Sequence, residues 1–245
     1  MSTPSQTSTD LTRTPVPQLQ LPRQVAAPPG PVDARMMYLM HHAFRRDLRL
    51  FVEAAAVTSV EDPDTWQALV ARWDIFSGAL HHHHTGEDAG LWPMLLARAD
   101  EHERATLDAM EAEHAEIDPS LTACAAGLAR MAAAPDPATA ARLVEDLRTA
   151  QACLHRHLGH EETEAMALVQ RYLTTKEWDE MAEEHFGKGQ TLRQLTWLVP
   201  WALDGVPEGP RADLLQVAGA PMRVLWRLTH RRYDRLDARC RRHLS

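Results

Sequence analysis

The chain has almost no lysine. Only Lys176 and Lys188 are lysines among its 26 basic residues. This arginine bias reflects the base composition of the gene more than function. Cysteine is also scarce: Cys124, Cys153 and Cys240 are too few and too scattered for a disulfide framework or a thiolate metal site. A reducing cytoplasm is therefore the expected compartment. No run approaches the roughly 18 apolar residues of a membrane span, so none is expected. The N-terminus lacks a basic start followed by an apolar core, which gives no secretory signal. No stretch alternates apolar and polar residues as a strand would.

Negative charge dominates, but unevenly. The net charge is −8, yet residues 211–245 hold nine arginines against three aspartates. The acidic body argues against nucleic acid as a partner. What is abundant is histidine, with 14 in 245 residues. Packing alone does not call for so many.

The first 31 residues are rich in Pro, Ser, Thr and Gln and read as a disordered leader. Apolar residues then recur every three and four positions in four long segments. They run from about Val32 to Val57, from Asp62-Pro63 towards Pro93, from about Asp100 to Met131, and from about Ala138 to Leu173. Pro119 is expected to kink the third. The connections are short, so neighbours should be antiparallel. The expectation is an all-α fold: an up-down-up-down four-helix bundle over residues 32–173. Residues 174–245 are expected to form a helical extension packed on it. That extension divides into Thr175 to His185, Gln190 to Leu203, a loop at 205–210, and a last helix from Ala220 to Arg242.

Each histidine can be tested against the apolar stripe of its own helix. His41 lies with Met37, Phe44, Leu48 and Phe51. His83 and Glu87 lie with Phe76, Leu80 and Leu91; His114 lies with Leu107, Met110 and Ile117; His157 and Glu161 lie with Leu147, Leu154 and Ala165. Every helix thus turns one histidine inward, and two helices add a glutamate one turn later on the same face. Two unpaired buried carboxylates would each cost several kcal/mol, on the order given for buried ions. Cations inside the bundle remove that cost, and bundles build such sites from facing helices. Imidazole and carboxylate without thiolate suit iron, manganese or zinc. Two glutamates able to bridge suggest two metals.

The segments LMHHAFRRDL, LHHHHTGEDAGLWPML, EHAEID and HLGHEETEAM resemble the hemerythrin-like HHE cation-binding domain over about residues 33–173. The resemblance implies a non-haem centre of two iron ions with bridging carboxylates and an oxo, hydroxo or solvent bridge. It carries His41, His83, His114 and His157 over as nitrogen ligands, and Glu87 and Glu161 as bridges. One departure is the histidine count, because oxygen-carrying hemerythrins use five, two of them on the third helix. Here Asp118 stands four residues after His114, either as a ligand or as a cap. With four histidines the site reads as open, which favours oxygen or peroxide chemistry over oxygen storage.

The expected function is therefore binding of, and reaction with, O2, peroxide or another small diatomic. The alternatives are a non-enzymatic sensor of oxygen, iron or nitric oxide, and an oxygenase acting on a small organic substrate. No residue is assigned a catalytic role beyond the metals. His42 falls on the side of Arg46 and Arg49 and reads as solvated, as do His102 and His155. His84 and His160 fall on polar faces, and either support the ligands or lie at the surface. His185 could fold back as a lid. Trp197, Trp201 and Trp226 either pack the extension or line a pocket. The arginines Arg223, Arg227, Arg231 and Arg235 read as a solvated face pairing with the acidic body. The oligomeric state is open.

Overall fold

The computed structural model describes residues 14–244; from Arg35 onward the chain is mainly helical, and no strand occurs among the described residues. Helix α1 spans Arg35–Val57. Helix α2 spans Pro63–Gly86 and continues through one π turn, Glu87–Leu91, into Trp92–Leu96. Helix α3 spans Glu101–Ala133. Helix α4 spans Pro137–His160 and likewise passes through a π turn, Glu161–Ala165, into Met166–Tyr172. These four form the bundle expected from the apolar periods.

The starts are set locally. Asp62 accepts the Thr65 amide, with Pro63 in the first turn. Asp100 and Glu103 form a reciprocal capping box, and Asp136 caps α4 ahead of Pro137. Helix α3 runs unbroken through Pro119. Pro119 and Ala115, whose carbonyl loses its partner, are both exposed, so water can satisfy that carbonyl.

The core lies in two parts. One gathers Phe44, Leu48, Phe51, Trp73, Phe76 and Leu154. The other gathers Tyr38, Leu91, Trp92, Leu107, Met110 and Met166. The inward histidines and glutamates of all four helices occupy chain positions between these two parts, so the polar layer has apolar packing on both sides.

The extension contains α5 (Thr175–Ala182, continued by a π turn, Glu183–Gly187), α6 (Leu192–Leu203), α7 (Glu208–Val217) and α8 (Gly219–Cys240). Helix α7 begins within the stretch read as a loop. Helices α6 and α8 pack on α1 and α2. Trp201 is fully buried against Phe44, and its indole donates to Asp47. That buried Asp47 also receives Arg46 and Arg72, and Arg72 in turn reaches Asp204 and Asp237. The network ties bundle and extension together. No ion pair is formed by Arg223, Arg227, Arg231 or Arg235 among the described residues; the charge pairing of α8 with the bundle comes instead from Arg239, which engages Asp64, and Asp237, which takes Arg72. None of the helices is long and apolar enough to cross a membrane.

The expectation of a disordered leader needs correction over residues 14–31; residues 1–13 lie outside the described part. From 14 to 31 the chain lies against the bundle without helix or strand and turns back on itself. Val16 bridges to Gly30, and Leu21 is buried. Its backbone finds side-chain partners on α4: Gln170 takes the Val32 amide and donates to its carbonyl, and Glu162 takes the Val25 amide. Such bonds order a segment that has no apolar period of its own. Gly30 is required where Gln170 approaches, because a Cβ there would lie 2.3 Å from its Oε1.

Candidate metal centre

His41 projects from α1, His83 and Glu87 from α2, His114 from α3, and His157 and Glu161 from α4, and the bundle brings all six together. His41 Nε2 lies 3.2 Å from His83 Nε2 and 3.1 Å from Glu161 Oε2. His114 Nε2 lies 3.2 Å from His157 Nε2. Glu87 spans the two pairs: its Oε1 is 3.1 Å from His83, and its Oε2 is 3.4 Å from His114. Glu161 also faces both, with Oε2 3.9 Å from His157.

Two sets of donors result. One is His41, His83, Glu87 and Glu161; the other is His84, Glu87, His114 and His157. Within each set the ligating atoms lie within 4.8 Å of one another, and every residue is buried. Glu87 belongs to both.

His84 is the correction. Its ring stacks on His114 at 3.9 Å between centroids, and it is only 6 % exposed. A straight helical stripe sends one of two adjacent residues inward. Helix α2, however, faces α1 on one side and α3 on the other. His83 turns to the first and His84 to the second. Asp118 is exposed on α3, His185 lies against Gly90, and neither belongs to the two sets.

Carboxylates hold the far side of three rings. His41 Nδ1 meets Glu162 at 3.0 Å, His114 Nδ1 meets Asp88 at 2.8 Å, and His157 Nδ1 meets Glu113 at 2.9 Å. Glu113 also takes His160 Nδ1 at 3.0 Å, so His160 is a supporting residue. Arg45 anchors Glu162. A ring that gives its Nδ1 hydrogen to a carboxylate turns an Nε2 lone pair inward, which is how metal-bound histidines are oriented. None of these three carboxylates lies on an apolar stripe. The two π turns begin at Glu87 and Glu161 themselves, a placement common at functional sites.

The residues fit cations. None of the four carboxylate oxygens of Glu87 and Glu161 receives a well-aligned hydrogen bond, and neither does His84 Nε2, although all are buried. Acceptors facing acceptors in a dry layer are costly unless positive charge lies among them. Ionisation in the metal-free chain points the same way. Burial, Glu161 and Asp88 push the Glu87 carboxyl well above the usual carboxylate range. Burial lowers His41, but Glu161 and Glu162 outweigh it and raise the ring to about 9. A proton is then held where a cation would otherwise serve, so metal and proton compete there. Burial and neighbouring imidazoles keep His83 and His84 well below the usual histidine range, hence neutral and ready to ligate.

A lid covers part of this end. Phe186 sits 6.0 Å from the His83 ring, and its carbonyl accepts from His82 at 2.9 Å. Gly86 makes room, because a Cβ there would lie 2.4 Å from the Phe186 ring. His42 is buried rather than solvated, and it faces away from the metal layer towards the Pro22 carbonyl.

The family model of the hemerythrin HHE cation binding domain matches residues 32–169, which span all four bundle helices. No curated protein and no solved structure matches the chain significantly. On the family match and on the buried histidine and glutamate sets, the chain is a metal-binding module, and it belongs to the hemerythrin HHE cation-binding domain family.

Proposed function

We propose that the chain holds two iron ions and binds O2 or peroxide, reacting with it inside the bundle. The carrying observation is that Glu87 is shared between two donor sets while none of its oxygens, nor those of Glu161, receives a well-aligned hydrogen bond. His84 brings the histidines to five, the number used by oxygen carriers but in a different distribution. The imidazoles divide unevenly: three would serve one ion and two the other. Each set still offers four donors, because Glu161 stands with His41, His83 and Glu87 where the other set has a third imidazole.

When bound, a ferrous pair supplies two electrons to oxygen, or the Lewis acidity that holds peroxide. The protein does the rest. Glu162, Asp88 and Glu113 fix the rings. Leu80, Leu91 and Met110 keep the layer dry. Tyr38 holds a phenolic proton in the buried layer: burial and the charges of Glu162 and Glu161 push its pKa upward, and its hydroxyl has no hydrogen-bond partner. It is thus a neutral phenol beside the carboxylates, able to donate a hydrogen bond while keeping its proton.

The test is the optical spectrum of anaerobic, iron(II)-loaded protein as oxygen is added and withdrawn. The proposal expects a new visible band that decays irreversibly to the spectrum of the oxidised pair. A band that disappears on withdrawing oxygen and returns on readdition would overturn reactivity in favour of a reversible sensor.

A further inference from the structure

A second polar site lies on the other face of α1, away from the metal layer. It is a cleft of about 200 Å3 between the extended N-terminal segment, α1, the turn after α6, and the end of α8. Its walls hold Arg23, Arg45, Arg46, Arg49 and Arg241 against one carboxylate, Asp204. Three of these arginines are engaged. Arg45 serves Glu162, Arg46 serves Asp47 and the Asp204 carbonyl, and Arg241 serves Asp237. Asp204 is itself taken by Arg72.

The remaining two are held less firmly. Arg23 has no ion-pair partner among the described residues. Arg49 reaches Glu53 only at 3.8 Å, and its Nε is buried without a hydrogen bond. Arg23 also stands at φ 69°, a left-handed conformation that glycine would adopt more easily. The turn places an arginine at that position at a conformational cost.

The floor of the cleft is His42, 8 % exposed. Its Nδ1 faces the Pro22 carbonyl at 3.4 Å, which only an N–H can satisfy. The tautomer that serves Pro22 carries its hydrogen on Nδ1 and leaves Nε2, beside Gly205, as a buried lone pair without a well-aligned hydrogen bond. A ligand matching this cleft needs acceptor oxygens for two guanidinium groups and a hydroxyl for Nε2. Chloride and sulfate offer no hydroxyl. Hydrogen phosphate and the singly protonated phosphomonoester offer both.

We propose that this cleft binds a phosphoryl group, as free phosphate or as a small phosphomonoester. The site does not rest on the metal reading. It touches it at one point, because Arg45 lines the cleft and also anchors Glu162, the partner of His41.

The experiment is calorimetric titration of the full chain with inorganic phosphate, sodium sulfate and glycerol 3-phosphate, each at constant ionic strength. One phosphate should bind per chain. Sulfate should bind at least about tenfold more weakly, the scale of one lost hydrogen bond to a charged group. Arg23→Gly and Arg49→Gln should each weaken phosphate by a similar factor. Arg231→Gln, on the exposed face of α8, should not. Arg23→Gly relieves the left-handed residue and so should keep or raise the Tm while phosphate affinity falls, an opposition that a merely structural role would not produce. A tighter monoester assigns the site to an organic phosphate, and tighter inorganic phosphate assigns it to the free ion. Equal binding of sulfate and phosphate, unchanged affinity in both arginine variants, or no saturable binding would each overturn the proposal.

Discussion

Consider Glu113→Gln and Glu113→Ala. The Glu113 carboxylate takes His157 Nδ1 at 2.9 Å and His160 Nδ1 at 3.0 Å. It is 17 % exposed and neutralises no buried arginine, so its loss should cost the fold little. Its effect should instead fall on the metal. Outer-shell partners of ligating histidines contribute about 10–100-fold in metal affinity, roughly 1.4–2.8 kcal/mol. Gln keeps an oxygen that can accept from His157 but removes the charge, so it should sit near the tenfold end. Ala removes the orienting bond as well and should approach a hundredfold. The location of the loss is the sharper expectation. His157 belongs to the set with His84 and His114, whereas His41 and His83 belong to the other. A competition titration with a chelating dye should show one binding event weakened and the other nearly unchanged, with helicity and the urea midpoint of the metal-free chain close to wild type. Equal weakening of both events, or none, would refute the two-set assignment.

Glu162→Gln should behave differently, because it leaves the 3 % exposed Arg45 without its counterion. Breaking one side of a buried pair costs about 3–5 kcal/mol, which urea unfolding of the metal-free chain would read directly. Asp47→Asn should destabilise by a similar amount while leaving metal content intact. Burial would raise the Asp47 carboxyl, but Arg46 and Arg72 outweigh it and hold it far below the usual range. With a depressed folded-state pKa, this stabilisation is present above the unfolded value of about 3.9 and fades only as pH falls further. The gap between wild type and Asp47→Asn should therefore be flat from pH 7 to about 5 and close in stronger acid. Gly86→Val should displace Phe186, since even a Cβ would overlap its ring, and amide exchange at 183–187 should quicken.

Much of this was legible in the sequence. The apolar stripes of the four helices placed His41, His83, His114 and His157 inward, and the bundle confirms that placement. Asp62-Pro63 marked a helix start by local chemistry alone. His84 was missed because a stripe assumes one inward direction per helix, whereas α2 borders two neighbours at this level. The run of four histidines was the available signal. Glu162, Glu113 and Asp88 follow no periodicity, since their partners come from other helices; only the three-dimensional packing reveals them. Residues 14–31 lack any apolar period because their order comes from hydrogen bonds to Gln170 and Glu162, which composition does not record. His42 was read as solvated for a related reason, because the chain that covers it, at Pro22 and Gly205, is remote in sequence.

The central claim is that two donor sets sharing Glu87 hold two metal ions. Metal content measured by elemental analysis after anaerobic iron(II) loading and desalting tests it most directly. The account predicts close to two irons per wild-type chain, about one for His84→Ala, well below two for His83→Ala and Glu161→Ala, and two for His42→Ala. One iron or fewer in the wild type, or the same content in His84→Ala and His42→Ala, would contradict it.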